Sequence, residues 1–123
     1  MVKEFDFYNG FEGEPEIIIS RKDINGDIKM IIRLWIGFFD SIMNLIKPDK
    51  NGKWEGVPLY YHEETAWYDG SPWKCDHVEL LIIQLESVDT SELDIKRKKI
   101  LEILMNELKR SVSLKEYIYI EIE

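Results

Sequence analysis

His62, Cys75 and His77 are the side chains of this sequence best suited to chemistry. An imidazole serves as a base or metal ligand near neutral pH, and a thiolate is a nucleophile and a soft ligand. Cys75 and His77 stand two residues apart, so on a strand they would share one face. A cysteine nucleophile needs a base within hydrogen-bond reach and a third group to orient that base. The Cys75–His77 pair approaches the first requirement, but nothing beside Cys75 marks an oxyanion hole or a helix N-terminus. Zinc would accept His62, Cys75 and His77, with Asp76 or Glu63 as a further ligand. The paired cysteine or histidine spacings of structural zinc sites are nevertheless absent. His62-Glu63-Glu64-Thr65-Ala66 departs from H-E-x-x-H because Ala66 stands where the second ligand must be. The P-loop, dinucleotide and nucleophile-elbow signatures are missing as well. The expectation is therefore a protein that is not an enzyme, with no catalytic residue, no metal and no cofactor. The alternative is a small-molecule-binding protein or hydrolase that uses His62, Cys75 and His77.

The segment that carries these three residues is also the most aromatic. Between Trp54 and His77 lie Trp54, Tyr60, Tyr61, Trp67, Tyr68 and Trp73, six of the fifteen aromatics in the chain. Glu55, Glu63, Glu64, Asp69 and Asp76 are interleaved with them. Trp and Tyr anchor many protein interfaces because they bury a large area and keep a polar handle. Trp54, Glu55, Glu63, Glu64, Trp67, Tyr68, Asp69, Trp73 and Asp76 are thus candidates for contact with a protein partner. The plainer reading is a long turn-rich stretch that folds back and buries its own aromatics.

The chain has 123 residues, 45% of them hydrophobic and 33% charged, which suits one domain, residues 1–123, with a packed core. Its net charge is −8. Residues 1–27 contribute −4, whereas residues 28–46 contribute +1 and 92–110 contribute +2. Such a field repels phosphate backbones and attracts basic proteins, so a basic protein partner is expected and a nucleic acid is not. Lys96-Arg97-Lys98-Lys99 reads as a solvated helix face. A single cysteine excludes an intrachain disulfide and fits a reducing cytoplasm. The start, MVKEFDFYNGF, does not read as a signal peptide. The most apolar stretch, Ile28 to Ile46, contains Lys29, Arg33 and Asp40, which argues against a membrane span.

The elements that must position these residues read as an α+β fold, with a mostly antiparallel sheet, two helices and a C-terminal βαβ unit. Glu4–Tyr8 and Glu16–Arg21 are expected strands. Asn25-Gly26 suits a tight turn, because both central positions would take positive φ. Folding there places Ile17, Ile19, Ile28, Met30, Ile32 and Leu34 on one face. A single helix from Asp27 to Ile46 is the rival, and Gly37 and the isoleucines favour the hairpin. Asp40–Lys47 is helical in either case. Leu59–His62 and Ala66–Tyr68 could be short strands. His77–Glu86 carries apolar residues on both faces and suggests a central strand. Asp89-Thr90-Ser91-Glu92 offers caps for a helix to about Arg110 with Leu93, Ile100, Ile103, Leu104 and Leu108 inward. Lys115–Glu123 alternates strictly as a last strand.

Glu63-Glu64-Thr65-Ala66-Trp67-Tyr68-Asp69, the small size, the acidic balance and the lone cysteine together resemble bacterial toxin-neutralising immunity proteins. The resemblance is one of class, rests on no motif and assigns no residue. It implies a small cytoplasmic protein that blocks a cognate bacterial toxin, a basic nuclease among the candidates, by occlusion. In that scheme carboxylates stand in for nucleic-acid phosphates while aromatics anchor the contact.

Overall fold

The computed structural model describes residues 2–63 and 72–123. Strands β1 (Lys3–Phe7), β2 (Glu16–Lys22) and β3 (Ile28–Trp35) come first, followed by helices α1 (Ile36–Met43) and α2 (Val57–Glu63). Strand β4 (Trp73–Lys74), helices α3 (Val78–Glu86) and α4 (Ile95–Leu114), and strand β5 (Tyr117–Ile122) complete the order. The sheet runs β1-β3-β2-β5-β4. Among the described strands only β1 and β3 pair in parallel, and the other three pairings are antiparallel. This is an α+β architecture. No described helix is long and apolar enough to cross a membrane.

The β2–β3 hairpin forms as expected, with a different turn. Asp23 accepts backbone N–H bonds from Asn25 and Asp27 through its Oδ1, and the Gly26 N–H bonds the Asp23 carbonyl. Gly26 alone takes positive φ (85°), so the loop is built on the Asp23 side chain and not on a two-residue turn. A register shift follows, with Arg21 opposite Met30 but Lys22 opposite Ile28. The extra residue turns Ile28 to the outer face, where it is 41% exposed, while Ile17, Ile19, Met30, Ile32 and Leu34 stay inward.

Four sequence expectations are corrected. His77–Glu86 is not a central strand; it contains helix α3. Val78, Leu81, Ile82 and Leu85 are buried at helical spacing while Ile83 is 64% exposed. Leu, Glu and Gln outnumber the β-branched residues there, and a short apolar run does not declare its period. The C-terminal βαβ unit consequently does not exist. Trp73 and Lys74 pair antiparallel with Ile120 and Tyr119, with α3 and α4 between the two strands. Leu59–His62 lies in α2, which follows Gly56 at φ 66° and admits Pro58 in its first turn, where an N–H is unneeded. The possible strand Ala66–Tyr68 lies outside the described residues. Four α-helices, not two, are described.

α1 begins earlier than expected, directly after β3, and its Ile36 N–H is satisfied by the Pro15 carbonyl at 3.1 Å. α4 is capped by Asp94, whose Oδ1 accepts from the Arg97 N–H at 2.8 Å, and Lys115 ends it in the left-handed region. Helices cover one face of the sheet. Ile17, Ile19, Ile32, Leu34, Ile118 and Ile120 meet Phe39, Ile42, Leu81, Leu85, Ile100, Leu104 and Leu108 in one core.

Candidate interaction surface

α2 and β4 bring the described part of the aromatic segment together. The Trp54 indole stacks on the His62 ring at 4.1 Å and donates its N–H to the Ile46 carbonyl at 3.4 Å. Tyr61 donates its hydroxyl to Asp40 at 2.5 Å and sets its ring edgewise on Phe39. Trp54, Tyr61 and His62 thus form a half-buried wall, with the polar handles of Trp54 and Tyr61 turned inward. Tyr60 faces the other way and packs on Trp73, ring centres 4.8 Å apart. Trp73 is half-buried against the core, and Tyr60 remains exposed.

The carboxylates sit at the rim. Glu55 and Asp76 are exposed, and the Glu55 backbone is fixed by a 3.0 Å hydrogen bond from Gln84 Nε2 on α3. Glu79 adds another exposed carboxylate in the first turn of α3. Glu63 is the last residue of α2. Glu64, Trp67, Tyr68 and Asp69 lie outside the described residues.

Gly56, Val57, Tyr60, Trp73, Cys75, Asp76 and His77 line a cavity of about 140 Å³. Ligand pockets usually hold roughly 300–1,000 Å³, so this one is too small for a typical small-molecule substrate. Cys75 and His77 both reach it, whereas His62 does not line it. The Cys75 thiol is buried, and burial pushes its pKa up to about 11, against a lowering by the His77 backbone N–H; Asp76 and Glu79 push it further up. A thiol held in that state is protonated at neutral pH and is a poor nucleophile. Among the described residues no group of three His, Cys, Asp or Glu is placed to hold a metal ion.

One cluster escapes the sequence reading. Arg21 projects to the core face of β2, opposite Met30 and Ile118. Its guanidinium bonds Glu107 on α4 at 3.2 Å and also pairs with Glu116. Glu107 is buried and receives Lys3 of β1 at 3.2 Å as well. The available signal was a charge standing in an apolar phase. Arg21 continues the Ile17, Ile19 alternation, and Glu107 falls on the stripe of Ile100, Leu104, Leu108 and Ser111.

Comparison with protein families, curated proteins and solved structures yields no match.

Proposed function

We propose that this chain is a non-enzymatic binding protein that neutralises a basic protein partner, in the manner of bacterial immunity proteins that occlude a toxin. The interface comprises Tyr60 and Trp73 with the carboxylates of Glu55 and Asp76; Glu63, Glu64, Trp67, Tyr68 and Asp69 are candidates by sequence alone. The observation that carries the reading is the exposed Tyr60 ring packed on Trp73 beside the exposed Asp76. Aromatic area rimmed by carboxylates suits a cationic protein surface, and the net charge of −8 would speed its approach. The protonated Cys75 thiol and the position of His62 on Trp54 weigh against a hydrolase built on His62, Cys75 and His77.

The test is surface plasmon resonance against the products of the genes that flank this chain's own, at two salt concentrations. Reversing Glu55 and Asp76 to Lys should slow association more than it speeds dissociation, because rim charges act through long-range attraction. Tyr60→Ala should instead quicken dissociation, at a cost on the order of 2 kcal/mol for an anchor. A salt-independent association rate, with these variants binding like the wild type, would overturn the proposal.

A further inference from the structure

We infer that the groove between β1 and α4 binds an oxyanion carried on a small apolar body. The groove is open, holds about 670 Å³ and is lined by Lys3, Lys109 and Arg110 above an apolar floor of Phe5 and Ile103. That volume lies within the range of roughly 300–1,000 Å³ that small molecules occupy.

The charge balance selects the ligand. Three cations and one carboxylate, Glu107, line the groove. The Glu107 side chain is 3% exposed and is already divided among three cations. Its Oε1 lies 3.2 Å from Arg21, and its Oε2 lies 3.2 Å from Lys3 and 3.8 Å from Arg110. Lys109 has only a 4.0 Å approach to Glu86, both about half exposed, and such pairs contribute little. The groove therefore carries a surplus of positive charge in a chain whose net charge is −8. The overall negative field opposes the approach of an anion, but salt screens it beyond about 8 Å, whereas hydrogen-bonded contacts act at about 3 Å.

Buried Glu107 also fixes the geometry. It holds Lys3 from the sheet by a 3.2 Å bond and draws Arg110 from the helix to 3.8 Å, so cations from two elements converge on one point. A guanidinium fork donates two parallel hydrogen bonds to a carboxylate or phosphate, and Lys3 supplies a point charge beside it. Ile103 and Phe5, whose ring carries Lys3 Nζ 5.1 Å from its centre, add apolar lining that a bare inorganic anion would not cover. This groove is separate from the surface around Tyr60, and the inference does not rest on the function proposed above.

The experiment is an NMR titration that follows the Ile103 methyl group, with the exposed Ile24 methyl as a distant control. Octanoate and octyl phosphate are the probes, octanol is the neutral analogue and inorganic phosphate the bare anion. The two octyl anions should give a saturable shift at Ile103 and none at Ile24, and their ratio tells carboxylate from phosphate preference. Octanol and inorganic phosphate should each bind at least about tenfold more weakly, the loss of one charge-assisted contact or of the apolar body. The Lys109→Ser/Arg110→Ser variant, its fold checked by circular dichroism, should weaken octanoate by about tenfold or more. Lys98→Ser/Lys99→Ser, further along the same helix, should not. Octanol binding as well as octanoate, an unaffected Lys109/Arg110 variant, or no saturable shift with millimolar octanoate or octyl phosphate would each overturn the assignment.

Discussion

Arg21 and Glu107 meet across the interface between sheet and helix, with Nη2 3.2 Å from Oε1 and both side chains under a tenth exposed. Two charges removed from water in this way hold only while each keeps its partner. Among the described residues, Glu107→Ala would leave Arg21 paired with Glu116 and remove the carboxylate that Lys3 meets. The expected cost is about 3 kcal/mol, at the lower end of the range for a broken buried pair because Glu116 remains. Urea unfolding monitored by circular dichroism measures it. Arg21→Met with Glu107→Leu should recover most of the loss, since an apolar pair of similar volume needs no partner. A Glu107→Ala variant as stable as the wild type would contradict this account.

Gly37 is required by its neighbour. A Cβ at that position would stand 2.3 Å from the Trp35 ring, which stacks on Phe11 at 4.4 Å and meets Phe38 edgewise. Gly37→Ala ought to improve an isolated helix by about 1 kcal/mol. Here it should destabilise the protein by about 1–3 kcal/mol, the usual cost of overpacking, and alter the near-ultraviolet signal of Trp35. A stabilised variant would show that the ring is free to move.

Acid should erode the turns and caps first. The carboxyl of Asp23 is held below its usual value mainly by the Asp27 backbone N–H, that of Asp89 by the Ser91 hydroxyl and N–H, and that of Asp94 by the Arg97 N–H. A carboxylate with a lowered folded-state pKa stabilises the fold above its unfolded value of 3.8 and loses that contribution as pH falls through the lowered one. Thermal melts should therefore decline below about pH 4. Replacing all three by Asn, which accepts the same N–H bonds without titrating, should flatten that acid limb.

Cys75 should resist thiol reagents. With the pKa pushed up to about 11, its reaction with a disulfide reagent at pH 8 should be slow in the folded protein and fast in denaturant. Rapid labelling of the native chain at pH 8 would mean that the thiol is accessible and ionised.

The alternating strands were legible because period two is unambiguous when one face is buried. Ile17 and Ile19, then Met30, Ile32 and Leu34, then Ile118 and Ile120 all point inward as their spacing requires. α3 was not legible, because its eight-residue stretch from Val78 to Leu85 is apolar at both periods and only burial separates Leu81 from Ile83. The outward turn of Ile28 depends on a bulge that propensity does not encode. At the candidate surface, composition located Trp54, Tyr60 and Trp73 in one region, but the inward commitment of Trp54 depends on Ile46 and His62, which no spacing links to it. The Arg21–Glu107 pair was visible only as two charges out of phase with their neighbours.

The position of β5 bears on how the chain reaches this state. It is the final described element, yet it lies inside the sheet, between β2 and β4. Ile17 must find Ile122 across nearly the whole chain. Pairing over such a separation is slow compared with closing the β2–β3 hairpin. During synthesis β2 consequently waits, with Ile17, Ile18 and Ile19 along an open strand edge, until β5 has been made. An unpaired apolar edge of that kind is what makes incomplete chains prone to aggregate, so the interval between β2 and β5 is the exposed stage of folding.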